Sequence, residues 1–229
     1  MARLQTAENY AFNTSQTANC NPKPIINSFA VDTVLDAEAF NKLPILIVKS
    51  GAIGLQHMLG DGRQTISVIY FEGEVLDFRH FGKTSGRATC LLPVTVELLS
   101  GDDFDRMQFE NTQFQIEQAT KRARQLTYAS QHSVDLARKS AIEKLASFIL
   151  ESRKRQDLGR SLDILLRLRR ADIADYMGLR AETLSRAFTK LKKLGLIACD
   201  QADLVHITNE PGLRQLANGK VNWMKTRVQ

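Results

Sequence analysis

The sequence predicts an α+β protein with an N-terminal antiparallel β-roll, one long helix and a C-terminal winged helix-turn-helix. Three observations carry this. Short apolar runs separated by turn residues fill about residues 43–100. A seven-residue repeat then runs from Phe109 to Ala137. Finally, the spacing around Ala174 and Gly178 marks two short helices that cross closely.

Taken in order, residues 1–28 are rich in Asn, Thr and Gln, with Pro22 and Pro24, and read as an extended arm allotted to 1–24. The roll, a sensor-like domain, is expected over 25–106. "LPILIVKSG" (43–51) reads as an alternating strand stopped by a glycine. "IGLQHMLGDGRQTISVIYFEGEVLDF" (53–78) reads as strand, turn and strand, with Gly60-Asp61-Gly62-Arg63 as the hairpin connection. "RATCLLPVTVELLS" (87–100) reads as a further β-rich pair interrupted by Pro93. Strands this short at this spacing favour a small antiparallel barrel or roll.

From about 103 to 137 the period changes. Phe109, Ile116, Ala123, Ser130 and Ala137 recur every seven residues, and Thr112, Ala119, Leu126 and Ser133 fill the second seam position. No Pro or Gly interrupts this stretch, so one unbroken helix is expected, with 107–138 as the dimerisation helix. Its small seam residues would let two such helices approach closely; the plainer reading is a helix packed on its own roll. A second helix follows at about 140–154 with Ile142, Leu145, Phe148 and Ile149 on its apolar face, inside a C-terminal domain at 139–229. "SRKRQDLGRS" (152–161) reads as a basic, polar connection.

Composition narrows the function. The chain has 229 residues and is 43% hydrophobic, enough for sizeable cores. It has no run of about 18 apolar residues and no signal-like N-terminus, so a cytoplasmic protein is expected. Residues 1–119 hold 9 Lys/Arg against 14 Asp/Glu, a net of −5; residues 120–229 hold 22 against 11, a net of +11. A basic half on an acidic protein points to a polyanion, because phosphate neutralisation supplies most non-specific affinity for double-stranded DNA. A membrane surface is disfavoured, since the single Trp, Trp223, lies in a polar tail. Cys20, Cys90 and Cys199 lie 70 and 109 residues apart, so no local zinc site is formed. No nucleophile–base pair or phosphate-cradling glycine loop suggests an enzyme.

The strongest local signal is "DIADYMGLRAETLSRAFTKLKKLGLI" (172–197). Ala174 permits a close crossing, Gly178 suits the left-handed turn, and Ile173, Met177, Leu179, Leu184 and Ala187 take the buried positions. "LIACDQADLVHITN" (196–209) then reads as a two-stranded wing around Asp200–Asp203. In such a motif the second helix enters the major groove with its N-terminal residues at base edges. Glu182, Ser185 and Arg186 share one face at i, i+3 and i+4. Arg forks onto guanine, Glu accepts from cytosine N4–H₂, and Ser adapts to either edge. Lys190, Lys192 and Lys193 follow as phosphate contacts, together with Arg170, Arg180 and Thr183. The plainer reading of Glu182 is a favourable helix-dipole contact, worth about 0.3–1 kcal/mol.

Taken together, these stretches resemble the Crp/Fnr family of bacterial transcription regulators over about residues 25–219. "ETLSR" (182–186) is the Glu-x-x-Ser-Arg form of the Fnr and FixK branches. The resemblance implies a homodimer through residues 109–137 bound to an inverted TTGAT-like repeat, an activator that touches RNA polymerase, and control of low-oxygen or nitrogen-oxide respiration genes. It also sets departures in relief. Arg180 stands where the family often has a Ser or Thr cap, whose loss costs about 1 kcal/mol. Counted from Gly73-Glu74, Phe78 replaces the nucleotide-binding Glu of the cyclic-AMP branch, and Arg87 is followed by Ala88 rather than Ser. Cys20 stands alone near the N-terminus, short of the four cysteines of an iron–sulfur cluster. No cofactor is expected. The alternative is a haem member sensing nitric oxide, with His57, His80 and His132 as available imidazoles. An alternative of another class is a ligand-binding module with weak or non-specific DNA binding. Cys199, in a basic neighbourhood that favours thiolate, is a candidate redox switch.

Overall fold

The computed structural model describes residues 25–80, 86–156, 161–199, 201 and 203–219. The 1–24 arm and Cys20 lie outside them, as do Asp200 of the wing and Trp223. The chain divides into two compact units between Ala129 and Ser130.

The first unit is an antiparallel roll of β1 (Ile25–Phe29), β2 (Val34–Leu35), β3 (Ile45–Ser50), β4 (Ile53–Met58), β5 (Gln64–Tyr70), β6 (Val75–Asp77), β7 (Arg87–Cys90) and β8 (Val94–Leu99). They form two four-stranded sheets, β1-β8-β3-β6 and β2-β7-β4-β5. The β4–β5 hairpin turns as expected: Leu59 N–H donates to the Arg63 carbonyl at 2.8 Å and Gly62 N–H to the Leu59 carbonyl at 3.0 Å. The strands on either side of Pro93 do not pair with each other; β7 joins one sheet and β8 the other. Gly51 (φ 89°) makes the close approach at this crossing, where a Cβ would stand 2.2 Å from the Pro93 carbonyl oxygen.

β3 was expected to alternate, yet Ile45, Leu46, Ile47 and Val48 are all buried. Both of its faces are covered. Leu46 and Val48 join the roll interior with Phe29, Phe40, Phe78 and Cys90. Ile45 and Ile47 pack on the other side against Leu99 and Phe104, with Phe114 at the margin. Inside the roll the Phe40 ring meets Phe29 edge-on at 6.1 Å and stacks on Phe78 at 5.6 Å. Phe78 is thus part of an apolar interior. Burial pushes the Cys90 thiol up to about 12.

The expected unbroken helix is two helices, α1 (Gly101–Glu110) and α2 (Thr112–Arg138). Asn111 breaks it. Its backbone is extended (φ −117°, ψ 94°), and its side-chain oxygen accepts the Phe114 N–H at 3.0 Å, capping α2. The seven-residue pattern passes through this residue unaltered, so periodicity alone did not reveal the break. Along α2, Phe114, Gln118, Lys121, Gln125, Tyr128, His132 and Asp135 are buried or half-buried. On the other side every seam position is exposed: Phe109, Thr112, Ile116, Ala119, Ala123, Leu126, Ser130, Ser133 and Ala137. The plainer reading, a helix packed on its own roll, describes the opposite face, where Phe114 meets Phe104 edge-on at 5.8 Å, while the seam itself stays uncovered.

The second unit contains α3 (Ala141–Arg155), β9 (Asp163–Leu165), α4 (Arg170–Tyr176), α5 (Ala181–Lys193), β10 (Ile197–Ala198), β11 (Leu204–Ile207) and α6 (Glu210–Ala217). α3 starts with a capping box in which Glu143 accepts the Ser140 N–H at 2.8 Å. It buries Leu145, Phe148 and Ile149 and packs against α5 and α6. The wing has three strands, ordered β10-β11-β9, where two were expected. β9 is only three residues long and finds its partner β11 some forty residues later, so no local pattern announces it. No helix among the described residues is long and apolar enough to cross a membrane.

Candidate nucleic-acid interface

The helix-turn-helix is built around the turn at Gly178 (φ 61°), which follows α4. There the Leu179 N–H reaches back to the Ala174 carbonyl at 2.9 Å. The Ala174 methyl is 2% exposed, giving the close crossing that a larger side chain would obstruct. Ile173, Met177, Leu184 and Ala187 are buried as expected, and Leu179 is half-buried. Arg169 precedes α4 and grips Asp172 with two hydrogen bonds, Nε to Oδ2 at 2.8 Å and Nη2 to Oδ1 at 3.1 Å. The nearly buried Asp172 carboxylate therefore has a charged partner at the entrance of the motif.

α5 is two-faced. Leu184, Ala187, Phe188 and Leu191 are buried at i, i+3, i+4 and i+7. This fixes the rotation of the helix and leaves Glu182, Ser185 and Arg186 exposed together on the opposite side. Lys190, Lys192 and Lys193 are exposed in the last turns, and Thr183 is half-buried. Among the described residues, none forms an ion pair with Glu182, Arg186 or these three lysines. Arg180 is the N-cap residue and its side chain makes no capping bond, as its chemistry requires. The helix-entry position therefore carries an exposed guanidinium in place of a cap.

One residue sits differently from what its position suggested. Arg170 does not extend from the surface as a simple cation: its guanidinium lies 3.9 Å from the centre of the Phe188 ring. Desolvation lowers its pKa, with Cys199 and Asp203 acting in the opposite direction. Cys199, after β10, is a half-buried thiol outside any disulfide. Both line a cavity of about 360 Å³ together with Ser185, Phe188, Lys192 and Gln201. Sequence reasoning missed the Arg170–Phe188 stack, because no local pattern pairs the first residue of α4 with the middle of α5.

The three imidazoles considered for haem are separately engaged. His57 Nε2 is 2.9 Å from Ser67 Oγ, His80 lies 3.7 Å from Asp77, and the His132 ring stacks on Tyr176 at 3.9 Å. Among the described residues no group of three or more His, Cys, Asp or Glu side chains is placed to hold a metal ion.

A β-roll followed by a long helix and a winged helix-turn-helix with a basic, exposed second helix defines a DNA-binding transcription regulator rather than an enzyme. A family model described as a Crp-like helix-turn-helix domain matches residues 143–216. The nitrogen fixation regulation protein FixK of Rhizobium meliloti is 33% identical over 171 residues, covering 75% of this chain and 77% of that protein. The transcriptional activator protein anr of Pseudomonas aeruginosa is 27% identical over 187 residues, covering 77% of this chain and 74% of its own length. The solved structure of FixK2 from Bradyrhizobium japonicum superposes with a TM-score of 0.70 at 25% identity, over 85% of this chain and 98% of that one. The chain belongs to the Crp/Fnr family of transcription regulators, on its FixK-like side.

Proposed function

We propose that the protein binds an inverted repeat of TTGAT-like half-sites as a homodimer and activates transcription through contact with RNA polymerase. Glu182, Ser185 and Arg186 read base edges, while Arg180, Thr183, Lys190, Lys192 and Lys193 hold phosphates. The observation that carries this reading is the exposed trio on α5, held outward by a buried face that leaves it one orientation. Dimerisation through residues 109–137 is supported by the seam, where Phe109 is 92% and Leu126 72% exposed in the single chain. Two copies brought together along that seam would present two recognition helices with two-fold symmetry, the symmetry of a palindrome. The names of the relatives, a nitrogen fixation regulation protein and a transcriptional activator, support a regulatory and activating role; control of low-oxygen or nitrogen-oxide respiration genes is what the resemblance to the Fnr and FixK branches adds.

The test is quantitative binding to the palindrome and to duplexes changed one base pair at a time. Arg186→Ala should cost about 1–3 kcal/mol and flatten discrimination at one position of each half-site. Unchanged base preference in this variant would remove Arg186 from the reading set.

A further inference from the structure

The first residue of α4 and the middle of α5 are joined by a contact whose chemistry differs from the rest of the interface. Arg170 opens α4, and its guanidinium carbon lies 3.9 Å above the centre of the Phe188 ring. Phe188 is 7% exposed and belongs to the face that sets the rotation of α5. α4 is only seven residues long, so few positions determine its angle to α5. The Gly178 turn ties the two helices at one end, and the Arg170–Phe188 stack ties them at the other. Around this stack lie Ser185 and Lys192, so the clasp adjoins the reading face without being part of it.

A cation whose role is to meet a DNA phosphate is best placed at the end of a freely extended stem, as the exposed lysines of α5 are. Arg170 instead lies partly desolvated against an aromatic face; burial disfavours its charge, and the ring quadrupole, Cys199 and Asp203 act against that cost. We infer that Arg170 is a positioning residue for base recognition, clasping α4 to α5 through Phe188, rather than one of the phosphate anchors. This rests on the base-reading role given above to Glu182, Ser185 and Arg186. A tilt of α5 by a small angle displaces all three readers at once, while lysines on flexible stems still reach phosphates. Loss of the clasp should therefore damage specificity more than charge-driven affinity.

The experiment titrates the full chain onto a TTGAT palindrome and onto the same duplex with its G·C pairs replaced, at several salt concentrations. Arg170→Lys keeps the charge and removes the planar stack. It should lower affinity for the palindrome by about 3–30-fold and lower the discrimination ratio nearly as much, with the salt slope unchanged. Phe188→Leu should do the same, and the double variant should be no worse than the worse single. A phosphate anchor predicts the reverse: Arg170→Lys like the parent, and Arg170→Ala lowering the salt slope by about one per protomer. That result overturns the clasp. So does a loss of affinity with a constant discrimination ratio and a lowered melting temperature, which would mean a purely structural contact. A parent protein that cannot tell the two duplexes apart overturns the base-reading role, and the clasp with it. A discriminating parent with an unaltered Arg170→Lys variant overturns the clasp alone.

Discussion

The roll and the recognition helix handle charge in opposite ways. In the roll, polar groups answer one another locally. Arg79 bridges Asp77 at 2.9 Å and Asp105 at 2.7 Å, Lys49 meets Glu97 at 2.9 Å, and Arg63 meets Asp61 at 2.7 Å within its own hairpin. Its interior holds stacked phenylalanines. On α5, Glu182, Arg186 and three lysines have no ionic partner among the described residues. Side chains whose electrostatics are satisfied within the fold leave little for another molecule to bind. Those left facing solvent at fixed spacing mark where a partner of complementary chemistry docks. The contrast also separates what stabilises the chain from what it recognises.

The largest effect should come from the roll. Phe40 is 1% exposed and touches two other rings, so Phe40→Ala should cost about 3–5 kcal/mol of stability through lost transfer energy and a cavity. Chemical denaturation checks the cost. Base discrimination by the protein that remains folded should be unchanged. If it changed, the separation of stabilising and reading regions would not hold.

A smaller effect sharpens the other side of the comparison. Lys193 is exposed at the end of α5, about two turns beyond Arg186. Lys193→Ala should weaken cognate and non-cognate duplexes alike and lower the salt slope by about one per protomer. Stability should stay within about 0.5 kcal/mol, as for other surface substitutions. A sequence-dependent loss would place Lys193 among the base readers.

How legible these two regions were in the sequence follows from the range of the interactions that build them. The β4–β5 hairpin and the Gly178 turn are local, made by residues that special backbone conformations require, and both could be located in advance. The two faces of α5 were legible in part for the same reason, since 3.6-residue spacing puts Leu184 and Ala187 away from Glu182, Ser185 and Arg186; Phe188 and Leu191 complete that buried face in the structure. Asn111 was harder. Its side chain competes with the helix ladder for the Phe114 N–H, and the apolar repeat gives no sign of that competition. The β9 strand and the separation of β7 from β8 depend on partners distant in sequence. Arg170 lay beyond sequence reasoning too. Its place on α4 suggested a phosphate contact, and only packing reveals that its guanidinium faces Phe188.

One titratable group belongs to neither pattern, and its effect should be the smallest. His132, on α2, is buried and stacks on Tyr176, the last residue of α4, at 3.9 Å and 3°. Tyr176 also packs against Phe148 of α3 at 5.9 Å, so the pair sits where three helices of the second unit meet. Burial lowers the pKa of His132 below its ordinary 6.5; Asp135 and a backbone hydrogen bond with Tyr176 oppose this, and Lys144 adds to it. The sign follows directly. Between the folded value and 6.5 the unfolded chain binds the proton and the folded chain does not, so stability falls as the pH drops below 6.5. One proton limits the slope to about 1.4 kcal/mol per pH unit. His132→Phe keeps a ring against Tyr176 and cannot titrate. Thermal unfolding followed from pH 7.5 downwards should show the parent losing stability relative to this variant as acid is added. A constant difference between the two across that range would mean that His132 contributes no pH dependence, and that the joint between α2 and the reading helices depends on packing alone.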